Sequence, residues 1–211
     1  MARMTRLIDP HLDELSSLMA QMGDLASKSI NLALDSYLVG KNARTEVYEF
    51  SRQISLLYDQ VGNLTFEMIL KYQPVARDFR LIRSSIEISY AFTRFGRYAY
   101  DIISVRDMFG DLSECKNDVI YTISGEIKNM ITAAIRCFAT LDLERAKQLQ
   151  TDEDLVDKYY KRHLPMLIDS KNTKCALADA LVLRYLERIA DHASFMGESV
   201  NYIVTGNRKP N

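Results

Sequence analysis

The sequence predicts an all-α protein built from two tandem antiparallel three-helix bundles. Three observations carry that expectation. Apolar residues recur at helical spacing along nearly the whole chain. Only 8 Gly and 4 Pro interrupt its 211 residues. Those interruptions cut the chain into six stretches that repeat as three and three. A β-sandwich of this length needs many more turn residues. Apolar residues at 47% are an ordinary load for a packed core.

Helix 1 is expected from about 6 to 39, with Gly40 as its C-terminal cap. Asn42 suits the N-cap of helix 2, which runs to about Tyr72. Pro74 breaks the pattern, and helix 3 continues to about Phe109 before Gly110 stops it. Ser113 is the expected cap of helix 4, which ends near Thr140. Asp142 caps helix 5, expected to reach about Asp169. Asn172 or Thr173 opens helix 6, and Gly206 with Pro210 closes it. Helix 6 has the clearest stripe: Val182, Leu186, Ile189, Ala193, Met196, Val200 and Ile203 alternate steps of 4 and 3. Connections this short force consecutive helices antiparallel, each about 40–50 Å long at ~1.5 Å per residue.

The two halves align with each other. An offset of 102 lays Val47 on Leu149, Ile54 on Val156 and Tyr58 on Tyr160. An offset of 94 lays Arg94 on Arg188, Phe95 on Ile189, Gly96 on Ala190 and Ala99 on Ala193. The repeat divides the chain into residues 1–111 and 112–211.

Composition excludes several classes of partner. With 27 basic and 28 acidic residues the net charge is -1, so neither nucleic acid nor an anionic membrane is attracted in bulk. No apolar run approaches the ~18 residues of a membrane span, so membrane association must come through a partner. The opening MARMTRLIDPHLDEL lacks the apolar run of a signal peptide. Cys115, Cys137 and Cys175 are odd in number and lack CxxC spacing, which predicts free, buried thiols in a reducing cytoplasm.

Helices 5 and 6 carry the one constellation with chemistry in it. Glu153 and Asp157 are four apart on helix 5, as are Glu187 and Asp191 on helix 6. Residues at i and i+4 share a helix face, so antiparallel neighbours can bring the four carboxylates together. Such an oxygen-rich site suits hard cations: iron, manganese or magnesium, with zinc also accommodated. The competing reading is an ordinary solvated acidic face, the usual fate of such pairs. In the first half the equivalent positions are Ser51, Ser55, Thr93 and Arg97, so a metal site is expected only in the second half. His192 follows Asp191 by ~100° around the helix and points away from the pair. His11 and His163 show no partners in the sequence.

Arg77, Arg80 and Arg83 step along the start of helix 3. They can meet an acidic partner or a phosphate, or pair locally with Asp78 and Glu87. No nucleotide-binding glycine loop or nucleophile elbow occurs. A ferritin-like di-iron site wants Glu-x-x-His, whereas Ala190 and Val156 stand three residues after Glu187 and Glu153.

Two segments resemble the PhoU family of phosphate-transport regulators. One is the run from Tyr72 through Gln73-Pro74-Val75-Ala76-Arg77-Asp78 to Arg80. The other is Leu186-Glu187-Arg188-Ile189-Ala190-Asp191, followed by Gly206. The resemblance covers about residues 5 to 206 and implies a cytoplasmic, non-catalytic, homodimeric regulator. Its implied partners are the ATPase subunit of a phosphate ABC transporter or a phosphate-sensing kinase. Some members bind iron or zinc clusters through ExxxD carboxylates. Glu187 and Asp191 match that signature, and Glu153 and Asp157 match acidic positions on the preceding helix. Thr93-Arg94-Phe95-Gly96-Arg97 stands where the first signature belongs. The alternative expectation is a carboxylate-bridged metalloenzyme or metal-storage protein.

Overall fold

A computed structural model describes residues 6–208. Six α-helices follow in order: α1 Asp9–Val39, α2 Arg44–Tyr72, α3 Ala76–Phe109, α4 Asp118–Thr140, α5 Leu143–Met166 and α6 Thr173–Thr205. No strand occurs among the described residues.

Most boundaries follow the local chemistry. Pro10 sits in the first turn of α1, where its missing N–H costs nothing. Gly40 ends the helix at φ 85°, returning its N–H to the Ser36 carbonyl at 2.9 Å. Asn42 is not the N-cap of α2 as expected; Ala43 holds that position, and Asn42 one residue earlier accepts from the Arg44 N–H at 3.1 Å. Asp142 accepts from the N–H groups of Glu144 and Arg145, both at 3.0 Å. Asn172 accepts from Cys175 at 3.2 Å.

Three further expectations are corrected. Ser113 does not cap α4; its N–H and hydroxyl both donate to Asp111, at 2.9 and 3.0 Å. That turn holds the loop away from helix, and α4 begins only at Asp118. α5 also ends early. Pro165 lacks an N–H and crowds the preceding turn, so the α-helix stops at Met166 and residues Leu167–Asp169 form a single 3-10 turn. Finally, Cys115 and Cys175 are not free thiols; they form a disulfide with Cα atoms 5.4 Å apart. The bond joins a loop to the first turn of a helix 60 residues away, a tertiary meeting that spacing does not reveal. Cys137 alone is free, and it is buried.

The helices run up and down. Arg44 at the start of α2 donates to Tyr100 and pairs with Asp107 near the end of α3. Tyr159 late in α5 donates to the Val119 carbonyl at the start of α4, at 3.1 Å. Gln150 early in α5 donates to Glu198 late in α6, at 3.3 Å. The two sets of three meet where α3 packs antiparallel on α6, and α4 also packs on α1. Arg80 near the start of α3 donates to the Ile203 carbonyl near the end of α6, at 3.0 Å. The two halves therefore share one continuous core.

Small residues let the helices approach closely. Ser84, Ser85, Ser89, Ala91, Gly96 and Ala99 are buried on α3, as are Ala178, Ala190, Ala193, Ser194, Gly197 and Ser199 on α6. At Gly197 an added Cβ would lie 2.9 Å from the Ala146 carbonyl oxygen and 3.3 Å from its Cα. That neighbour is backbone and cannot step aside.

One carboxylate lies inside this core. Asp179 on α6 is only 8% exposed and accepts from the Tyr37 hydroxyl of α1 at 3.3 Å. Burial raises its pKa from the ordinary 3.8 to about 6, although the tyrosine bond pulls the other way. Burial, then the Asp179 charge, pushes the Tyr37 hydroxyl upward.

Two outcomes follow for stability. Gly197→Ala must part α5 from α6 and is expected to cost about 1–3 kcal/mol in urea unfolding. Gly62→Ala, whose new methyl meets nothing within 4 Å, should be neutral or gain up to ~1 kcal/mol from helix propensity. Asp179 holds its proton longer in the folded state, so its ionisation removes stability as pH rises from about 4 through 6. Asp179→Asn keeps an acceptor for Tyr37 and should flatten that slope. Unfolding at pH 7.5 should then show a gain on the order of 1 kcal/mol over wild type.

Candidate functional site

The four carboxylates singled out in the sequence lie along α5 and α6 within reach of one another's electrostatic field. Burial raises the pKa of Glu153, and the charges of Asp191, Asp154, Asp157 and Glu187 raise it further. Glu187 is raised by burial and then by Asp191, against the opposing pull of Arg184 and Arg188. Asp191 is likewise raised by burial, with Arg188 and Arg184 opposing and Asp157 adding. Each carboxylate therefore lies in the field of others across the helix pair.

Protein cations answer part of that charge. Arg184 donates to Glu187 at 2.7 Å, and its guanidinium lies 5.9 Å from the centre of the Tyr160 ring on α5. Lys161 donates to Asp157 at 2.6 Å. Arg188 stands 3.8 Å from both Glu187 and Asp191. The Asp157 bond and charge raise the Lys161 pKa, with Glu153 and Glu187 adding to them. The donor set is all oxygen, the kind a hard cation takes. Its arrangement differs from a finished metal site: among the described residues no three acidic, histidine or cysteine groups are gathered to hold an ion. A cation here would have to displace Arg184 and Lys161, whose charged ends reach solvent.

His192 faces the opposite way, as its position on the helix requires. It packs against Tyr90, Phe95 and Tyr98 of α3, with ring centres 6.4, 6.3 and 6.0 Å away. Burial, then Arg94 and Arg188, lowers its pKa to about 4, so it is neutral at neutral pH.

The equivalent seam of the first half holds no carboxylate at these four positions. Ser55 donates to the Ser51 carbonyl at 3.1 Å and Thr93 to the Tyr90 carbonyl at 2.7 Å. Arg97 pairs with Asp101, one turn along α3, at 3.2 Å. A Cβ on Gly96 would lie 3.2 Å from the Ser51 Cα, so α2 and α3 approach closely at this level.

The three arginines at the start of α3 separate. Arg80 is spent on the α6 carbonyl of Ile203. Arg83 stands 3.6 Å from Glu87, and its guanidinium lies 5.6 Å from the centre of the Tyr202 ring. Arg77 is exposed, with no hydrogen bond or ion pair to another described residue. Around it, the turn between α2 and α3 leaves large apolar side chains in water: Leu70 is 79% and Val75 76% exposed, with Phe66 and Phe79 also uncovered. Arg6 pairs with Asp78 in the same turn and brings in exposed Leu7. Periodicity could not show this patch, because it says which residues are apolar and not which remain uncovered. The buried Asp179 was also missed, yet it left a signal: it lies three residues before Val182 on the apolar stripe.

The PhoU domain model matches residues 19–105 and again 120–200. The chain belongs to the PhoU family. The two PhoU matches cover most of α1–α3 and most of α4–α6. Curated relatives include the phosphate-specific transport system accessory protein PhoU homolog of Synechocystis, 27% identical over 90% of this chain and 87% of that protein. The homolog of the same description from Clostridium acetobutylicum is 28% identical over 96% and 97%. The crystal structure of PhoU from Pseudomonas aeruginosa superposes with a TM-score of 0.87 at 26% identity, covering 95% of this chain and all of that one. The regulatory protein PhoU from Streptococcus pneumoniae shares the fold alone, with a TM-score of 0.84 at 17% identity over 97% of this chain and all of that one.

Proposed function

We propose that this protein is a non-catalytic accessory regulator of phosphate uptake. It acts in the cytoplasm, as a homodimer, by docking on the ATPase subunit of a phosphate ABC transporter or on a phosphate-sensing kinase. The observation that carries this reading is membership of the PhoU family across both halves of the chain. Relatives of this length described as accessory proteins of phosphate-specific transport systems support it. No helix among the described residues is long and apolar enough to cross a membrane, so contact with a transporter falls to surfaces.

The α2–α3 turn is the docking surface we assign. Exposed Leu70, Val75 and Phe79 offer apolar area, and unpaired Arg77 beside them offers a charge to an acidic rim. Large exposed apolar patches mark interaction sites more often than ordinary surface. The Glu153, Asp157, Glu187 and Asp191 seam is the second working part. A cation there, whether iron, manganese, magnesium or zinc, would pin α5 to α6 after displacing Arg184 and Lys161 and so tune the shape offered to the partner.

In a binding assay with the purified transporter ATPase subunit, Arg77→Glu with Val75→Ser is expected to weaken binding at least tenfold. Far-ultraviolet circular dichroism should stay at the wild-type level. Absence of wild-type binding to ATPase and kinase under every phosphate and metal condition overturns the docking reading. Elemental analysis provides a separate check. Metal should co-purify with, or load onto, the wild-type protein and be lost from Glu187→Ala/Asp191→Ala. Empty protein after exposure to all four metals would leave the carboxylates as an acidic seam held by arginine and lysine. Loading far beyond one cluster would instead favour metal storage.

A further inference from the structure

The disulfide lies at a junction of the fold. Cys115 belongs to the loop between α3 and α4, the connection from the first three helices to the second three. Cys175 lies in the first turn of α6, where its N–H is taken by Asn172. Lys116 and Lys174 are their sequence neighbours, and Lys174 reaches back to the Asp111 carbonyl of the same loop. Cys175 is buried, whereas Cys115 is partly open to solvent.

We infer that Cys115 and Cys175 form a thiol–disulfide exchange site whose co-reactants are small-molecule thiols and disulfides, and that it fastens or frees the junction between the two halves. In the reducing direction a thiolate attacks the accessible Cys115 sulfur. The Sγ–Sγ bond breaks and its electron pair leaves on Cys175. That leaving thiolate sits in the first turn of a 33-residue helix, where negative charge is favoured. A second thiolate attacks the small-molecule sulfur of the mixed disulfide and releases Cys115. The protein disulfide and two thiols thus become a protein dithiol and one small disulfide, and the oxidising direction reverses each step.

Little else holds the loop. Leu112 is buried, Lys174 bonds one carbonyl, and Asp111 binds Ser113 within the loop itself. Asn117 adopts φ 50°, and its Oδ1 is buried with no hydrogen-bond partner among the described residues. Reduction therefore removes the main tie between residues 110–117 and α6.

The wild-type protein tests this without substitution. It is equilibrated in glutathione buffers from fully reduced to fully oxidised, quenched, alkylated and mapped by mass spectrometry. Cys115 and Cys175 should pass together from labelled to protected, while Cys137 stays unlabelled throughout in the folded protein. Amide exchange in residues 110–117 should quicken at least fivefold in the reduced form. In Cys175→Ser, oxidised glutathione should leave its adduct on Cys115. The inference is overturned if the two cysteines label at every ratio, if the bond survives excess reduced glutathione, or if loop exchange is the same in both forms.

Discussion

The antiparallel contact between α3 and α6 is the constraint on which the rest of this molecule depends. Both helices bury residues around more than one face, so neither can be covered by its own hairpin partners alone. Each completes the other's core, and burial of apolar side chains worth roughly 1.5–3 kcal/mol apiece makes that mutual cover decisive. The serines, alanines and glycines along both helices set how near the axes can come. The contact also aligns everything attached to it. The α2–α3 turn is fixed against the end of α6 by Arg80, and the opposite end is fixed by Tyr37 meeting Asp179.

This arrangement explains why two halves with one architecture carry different chemistry. Along α5 and α6, carboxylates crowd a partly buried seam and resist ionisation, with arginine and lysine holding the balance. Along α2 and α3, short hydroxyl side chains bond back to their own helices, and Arg97 turns along its helix to Asp101. One seam sets like charges beside arginine and lysine, whereas the other has none of these carboxylates. Duplicated backbones do not compel duplicated function.

The helical plan was legible because it rests on local chemistry. Gly40, Gly110 and Gly206 terminate helices through positive φ, and Asp142 and Asn172 start them with side-chain bonds. The acidic pairs on α5 and α6 follow the same local logic of i, i+4 spacing, yet among the described residues they are not gathered to hold an ion. What escaped were outcomes of competition and distance. Ser113 could cap a helix, but Asp111 claimed it first. Pro165 sits inside an otherwise helical pattern and shortens α5 to Met166. Cys115 and Cys175 meet only because the loop folds back on α6. Arg80 and Arg83 stood between an outside partner and local pairing; Arg83 does stand against Glu87, and the end of α6 adds carbonyl and ring partners. The same distances hid which apolar residues of the α2–α3 turn stay in water.

The order of the helices has a consequence for how the chain is made. The apolar faces of α3 leave the ribosome about 100 residues before those of α6, the helix that covers them. At roughly 5–20 residues per second, that interval lasts on the order of 5–20 s. Helix pairs form far faster than this, so the first three helices can associate while one side of α3 still lacks its cover. The nascent protein therefore carries a sticky, half-built bundle through nearly half of its synthesis. Holding chaperones, or an early encounter with another chain, would act in that interval, before the last helix closes the core.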